Sequence, residues 1–232
     1  MSNPLIGLTA NLVRDDKGRF RHEVKDTYVS AVIRAGGTPI IMPAVASMRA
    51  AMLELVHGVI MTGGDDIDTR PFGVALHPHA QIMEPDRQSA EIALLDALKD
   101  RPEKPLLGIC LGMQLMGVHA GCGLIQHLHD STPDADRHRY DNSHTVESEV
   151  GCGAVASWHH QALEDCGPFE AIGWSDDGIL EAIRDPRKPF CLGVQWHPER
   201  TANPTMGDDV IGQFVAAARA YMLTVRLATM IK

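Results

Sequence analysis

The chain has no block of basic residues: 21 lysines and arginines stand against 30 aspartates and glutamates over 232 residues, a net charge of −9. That balance argues against a nucleic-acid partner or an anionic membrane surface. No apolar run approaches the roughly 20 residues a membrane span needs. The opening stretch, MSNPLIGLTANLVRDD, lacks the basic segment of a secretory leader. Cysteine is sparse and odd in number: Cys110, Cys122, Cys152, Cys166 and Cys191, with no C-x-x-C pair. This usage reads as reduced, cytoplasmic chemistry in which one thiol is a candidate nucleophile and the others are filler. Linkers, repeats and low-complexity tracts are missing too. With 44% hydrophobic residues the chain can bury a full core, so one domain over 1–232 is expected.

What is present is alternation. Leu5 to Ala10, Pro39 to Met42, Val59 to Thr62 and Leu106 to Cys110 read as short strands, and Asp26 to Ala35, Ser47 to Val56 and Asp86 to Leu98 as helices. That order implies an α/β fold: a doubly wound, mostly parallel sheet with helices on both faces. Later short runs, Phe169 to Trp174, Leu180 to Ile183 and Cys191 to Trp196, suggest a meander completing the sheet, and a helix over 207–231 closes the chain. The polar stretch from Ser131 to Ser148 reads as a surface loop. In such sheets ligands bind beyond the carboxyl ends of the strands, which puts Asn11, Gly63, Gly64 and Cys110 on one rim.

Three features on that rim carry chemistry. In PLLGICLGMQLMGVHAGCG (105–123) a buried strand ends on Cys110 and a helical pattern (Leu111, Leu115, Val118) begins at once. So sharp a turn resembles the strand–elbow–helix of G-x-S-x-G hydrolases, with Gly108 and Gly112 leaving room beneath it. A cysteine there sits over a helix N-terminus that favours the thiolate, although a buried core cysteine would also suit an apolar stretch. In LGVQWHPER (192–200) a strand runs into His197, and an extended segment places His197 and Glu199 on one face. The carboxylate would orient the imidazole, giving a nucleophile, base and orienter set of Cys110, His197 and Glu199. In MTGGDDID (61–68) two glycines after a strand let backbone N–H groups approach a ligand.

Taken together, GICLGMQ (108–114), TGGDDID (62–68) and GVQWHPE (193–199) resemble class I glutamine amidotransferases. SWHHQ (157–161), SDDGILEAI (175–183) and PDRQSAEIALLDAL (85–98) resemble their stand-alone γ-glutamyl-γ-aminobutyrate hydrolase branch, the C26 peptidases. The resemblance implies a flavodoxin-like class I glutamine amidotransferase fold and hydrolysis of γ-glutamyl amides of small amines through a cysteine thioester, without cofactor. It implies Cys110 as nucleophile, His197 as acid/base and Glu199 as third member. It further implies an oxyanion hole from the N–H groups of Leu111 and Gly64, with Gly63 beside them. Gln114 would help hold the glutamyl part, and the backbone around Ser157 and Trp158 would line the pocket. The chain departs from the branch at Leu111, where arginine is common, and at Ala156, where asparagine is common. The His144 to Ala156 stretch is short, and Gly-Gly is common where Gly121-Cys122 stands. None of these touches the triad; all bear on which substrate is taken.

Twelve histidines raise the question of a metal, through HPHA (77–80), HLHD (127–130), RHRY and HH. None has the i, i+4 spacing of H-E-x-x-H, so no metal site is expected. They read as surface or loop residues, with His159 and His160 in a pocket wall. The favoured partner is a small γ-glutamyl substrate, and homo-oligomerisation stays open. Two other functions compete: a glutaminase subunit feeding ammonia to a separate synthetase, and a non-enzymatic thiol sensor. A sensor has no need of both His197 and Glu199.

Overall fold

A computed structural model describes residues 3–140 and 142–230, so Ile231, the expected end of the last helix, and Asp141, within the expected loop, lie outside it. The chain begins with β1 (Leu5–Thr9), a hairpin of β2 (Asn11–Arg14) and β3 (Phe20–Glu23), α1 (Asp26–Arg34) and β4 (Thr38–Met42). It continues through α2 (Arg49–Leu55), β5 (Gly58–Met61), α3 (Pro85–Lys99), β6 (Leu106–Ile109) and α4 (Leu111–His119). After β7 (Leu124–Ile125) come a hairpin of β8 (Ser143–Ser148) and β9 (Gly151–Ala156), then β10 (Ala162–Leu163). β11 (Glu170–Ser175), β12 (Leu180–Arg184), β13 (Cys191–Val194) and α5 (Asp208–Met230) complete the order.

Nine strands form the main sheet, in the order β4-β1-β5-β6-β13-β12-β11-β8-β9. The first five are mutually parallel and the rest join antiparallel. β5, β6 and β13 are buried at every position, which is why they read as unbroken apolar runs. Successive side chains feed opposite cores. Ile60, Leu107 and Val194 meet α1 and α5, whereas Val59, Met61 and Leu106 meet α2, α3 and α4. Helices therefore cover both faces of the parallel half. α5 is long and apolar enough to cross a membrane by length and composition, but Val210, Ile211, Phe214, Val215, Ala218 and Met222 are buried in the body of the protein.

Two hairpins were not expected. β2–β3 has no apolar alternation, since all four residues of β3 are exposed. β8–β9 corrects the expected loop over 131–148: its second part is a strand at the sheet's far end, preceded by a 3-10 turn at Ala135–His138. β8 buries His144 and Val146 on alternate positions. A histidine standing where an aliphatic residue would mark the inward face hid that pattern. His138 and His144 are accordingly core residues rather than surface ones.

Candidate active site

β6 ends at Ile109 and α4 starts at Leu111, so Cys110 alone makes the turn, with φ 53° and ψ −107°. A non-glycine residue in that region stores on the order of 1–3 kcal/mol of strain. The surroundings hold it there: Cys110 N–H donates to Val194 O at 2.8 Å, and Gln114 N–H donates to Cys110 O at 3.1 Å. A Cβ on Gly112 would stand 2.3 Å from Met61 O, and one on Gly108 would stand 2.8 Å from the Gly112 carbonyl carbon. Both glycines are required by the closeness of helix to strand.

β13 leads through Gln195 and Trp196 to His197, whose N–H donates to Ala156 O at 2.9 Å. His197 Nδ1 donates to Glu199 Oε1 at 2.9 Å, and both side chains are buried. Residues 198–200 form a 3-10 turn, so this contact comes from a turn rather than from the expected extended segment. With Nδ1 committed, Nε2 is the nitrogen available to Cys110, which lines the same cavity beside it. Burial opposes a charge on His197. The negative charge of Glu199, and of Cys110 when ionised, outweighs that cost and raises the imidazole to about 9. By contrast burial, the largest influence at each, pushes the thiols of Cys122 and Cys191 up to about 11. All five cysteines are free.

Leu111 is the first residue of α4, so its N–H has no intrahelical acceptor. Among the described residues neither that N–H nor the one of Gly64 donates within the protein. Gly63 differs from expectation: its N–H donates to Tyr28 Oη at 3.0 Å. This removes it as a free donor and leaves it as the hinge beside Cys110 and His197. The loop after β5 rests on the fully buried Arg87 of α3, whose Nη2 donates to Gly63 O at 2.9 Å and to Thr62 O at 3.2 Å. Its Nη1 donates to Asn11 Oδ1 at 2.7 Å. A Cβ on Gly64 would lie 2.0 Å from that Nη1, so the guanidinium occupies the space only glycine leaves.

Two cavities flank Cys110 and share Gly64, Asp65 and Trp158. The larger, about 180 Å³, is bounded by Asn11, Glu23, Lys25, Tyr28, His197 and Arg200. The smaller, about 90 Å³, is bounded by Gln114, Arg139, His159, His160 and Gln161. Trp158 is half-exposed at the mouth, and its carbonyl accepts from the Cys110 thiol at 3.7 Å. Gln114 lines the smaller cavity, but its amide nitrogen is committed to Gln161 O and Gln195 Oε1 at 2.9 and 3.1 Å. Ser157 is fully buried behind the wall, its hydroxyl donating to His138 O, and lines neither cavity. Sequence reasoning missed Tyr28, Arg87, Lys25 and Arg139. Arg87 lies inside the quoted PDRQSAEIALLDAL stretch, and an arginine on an otherwise inward helix face was the available signal.

The family model of peptidase C26 matches residues 4–199. Protein NtpR of Enterococcus hirae is 31% identical over 234 residues, covering 91% of this chain and 97% of its own. A γ-glutamyl-γ-aminobutyrate hydrolase of Escherichia coli O157:H7 is 30% identical over 224 residues, covering 86% and 87%. Among solved structures, a glutamine amidotransferase from Thermotoga maritima superposes with a TM-score of 0.57 at 13% identity, covering 86% of this chain and 77% of that one.

Proposed function

Because the chain belongs to the peptidase C26 family, we propose that it hydrolyses γ-glutamyl amides of small amines through a thioester on Cys110. The observation that carries this reading is the strained Cys110 itself. Its thiol shares a cavity wall with a His197 raised to about 9, next to the Leu111 and Gly64 N–H groups, which donate to nothing among the described residues, and at the junction of two cavities. The Cys110 thiolate attacks the γ-carbonyl carbon, and the oxyanion is held by the N–H groups of Leu111 and Gly64. The His197 imidazolium gives its proton to the departing amine as the C–N bond breaks. His197, now neutral, takes a proton from water as that water attacks the thioester, and glutamate leaves with Cys110 restored. Glu199 keeps Nδ1 protonated throughout.

The glutamyl head fits the smaller cavity, where Arg139 faces its α-carboxylate and Asp65 and Asp66 face its α-ammonium. The larger cavity takes the amine substituent, with Lys25 and Arg200 suited to a carboxylate on that substituent, as γ-aminobutyrate carries. Five unpaired thiols suit a reducing, cytoplasmic setting.

The competing glutaminase reading rests on Leu111, which matches the ammonia-channelling amidotransferases. Glutamate release from glutamine, γ-glutamyl-aminobutyrate and a γ-glutamyl-polyamine, with purified protein alone, separates the two. The hydrolase reading expects at least about tenfold higher kcat/KM for the substituted amides than for glutamine, about 1.4 kcal/mol of differential binding. Activity on glutamine alone, or none until a synthetase is added, would replace it with the glutaminase reading.

A further inference from the structure

Some distance in sequence from Cys110, the fully buried Glu181 of β12 is surrounded by three buried imidazoles from three segments. His144 Nε2 is 3.1 Å, His159 Nε2 3.4 Å and His138 Nδ1 3.5 Å from the same oxygen, Oε1. Only the first contact is a hydrogen bond. His138 Nδ1, His159 Nε2 and Glu181 Oε2 are buried without a hydrogen-bond partner, as is the outer nitrogen of His144, Nδ1.

The outer nitrogens explain why. His138 Nε2 donates to Asp177 Oδ2 at 3.0 Å, and His159 Nδ1 donates to Gln161 O at 2.9 Å. A carbonyl and a carboxylate accept, so each of these two rings carries a proton on its outer nitrogen, and a ring with no second proton aims a lone pair inward. A lone pair aimed at a carboxylate oxygen is repulsive. Protonating all three rings would set three positive charges against two negative ones, Glu181 and Asp177, in a dry interior.

A divalent cation resolves both problems. Three neutral imidazoles and one carboxylate then act as ligands, and the ion's two charges cancel those of Glu181 and Asp177. Ligand atoms about 2.0–2.2 Å from a tetrahedral ion stand roughly 3.3–3.5 Å apart. The three nitrogen–oxygen separations here are 3.1, 3.4 and 3.5 Å. The ligand atoms of His138, His144 and Glu181 all lie within 4.8 Å of one another; His159 stands outside that group and joins it by turning its ring inward. The bonds from His138 to Asp177 and from His159 to Gln161 have the form of the outer contacts that orient metal-bound histidines.

We propose that His138, His144, His159 and Glu181 bind a zinc ion as a closed structural site. Four protein ligands leave no position for substrate, so the ion holds structure rather than performing chemistry. What it holds is the wall of the cavity. His159 N–H and Ser157 Oγ both donate to His138 O, at 2.7 and 2.9 Å, and Trp158 between them touches Cys110.

Metal analysis of untagged protein, grown with added zinc and exhaustively desalted, tests this. About one zinc per chain is expected, and cobalt taken up on refolding should give the intense visible bands of a tetrahedral site. Glu181→Gln and His144→Ala should each lower the metal content to a small fraction of that. The rival site is the partly exposed stack of His77, His79, His127 and His129. A His77→Ala/His127→Ala double variant should keep its zinc. Should the buried-site variants not fold, wild-type protein under denaturant decides: a buried ion reaches a colorimetric chelator only as the protein unfolds. Metal lost in the His77/His127 variant, zinc chelated from the folded protein at once, or no metal bound under any condition would each overturn the proposal.

Discussion

Two carboxylate–imidazole arrangements lie in this one sheet, and the chain delivers them in opposite ways. His197 and Glu199 are two residues apart, on a turn at the end of β13, and one ring meets one carboxylate. Around Glu181 three rings arrive from a 3-10 turn, from β8 and from the segment before β10, up to 43 positions away, taking Glu181 against His138 (181 − 138). The first pair opens onto a cavity through Cys110, and its ring is left with one nitrogen to use. The second is buried, and the outer nitrogens of His138 and His159 are tied down. A local pair can be poised for proton transfer because its partner nitrogen stays accessible. A non-local cluster stitches segments together, because every contact in it joins two of them.

The largest expected effect breaks the first arrangement at its purpose. Cys110→Ala should abolish turnover in protein whose fold is intact. Iodoacetamide should label Cys110 before Cys122 and Cys191, whose thiols are held at about 11. Retained activity, or equal labelling of a second cysteine, would contradict the role assigned to it.

Next comes the second arrangement. Glu181→Gln leaves three buried rings facing an uncharged amide, and should cost roughly 3–5 kcal/mol of unfolding free energy in denaturant titration. Cys110→Ala, read by the same titration, should differ little from wild type. A Glu181→Gln protein as stable as its parent would mean the cluster stitches nothing.

A somewhat smaller effect is expected at the loop between them. Gly64→Ala puts a methyl group where the Arg87 guanidinium sits. Displacing that loop should remove one oxyanion donor, worth about 3 kcal/mol in kcat/KM. Wild-type kinetics in this variant would place the hole elsewhere.

The smallest effect sharpens the comparison by changing His197 without removing it. Glu199→Gln should lower kcat on the order of 10²-fold, with much less change in KM. Since the Glu199 charge is the main influence raising His197, the alkaline limb of the pH–rate profile, near 9 in the parent, should shift toward neutrality. The sign for stability follows the same shift. A histidine raised to about 9 stabilises the folded state fully below about 6.5, its unfolded value, and that contribution is lost as pH rises through 9. Glu199→Gln should flatten that dependence, and a limb that stays in place would detach Glu199 from the titration of His197.

Much of this was legible because it is local. The strand–Cys110–helix junction announces itself by glycines at 108 and 112 and by the change of period across one residue. The His-Pro-Glu end of β13 could be read from three adjacent letters, although a turn rather than an extended segment makes the contact. Segments buried on both faces of the parallel sheet are simply apolar, so β1, β5, β6 and β13 stand within a residue or two of where they were expected. Where the core is polar, the pattern failed. β8 carries His144 inward, and the surface-loop reading of 131–148 followed from that one substitution of chemistry for hydrophobicity. The β2–β3 hairpin failed for the opposite reason, since it buries too little to show a period, yet the chain from Asn11 to Lys25 bounds the larger cavity.

By itself, then, the order of residues determined a parallel α/β sheet and placed Cys110, Gly64 and the His197–Glu199 pair on one rim. Each of those is specified within a few neighbouring positions, where backbone geometry and period do the work. Only the tertiary structure decided that Tyr28 takes the Gly63 N–H, that Arg87 fills the space under Gly64, and that three histidines share one oxygen of Glu181. Those contacts join residues 22 or more positions apart (159 to 181 is the shortest), and none has a period or a spacing to show in the chain. Burial brings them together, and in a dry interior each polar group must find its partner wherever the fold puts one.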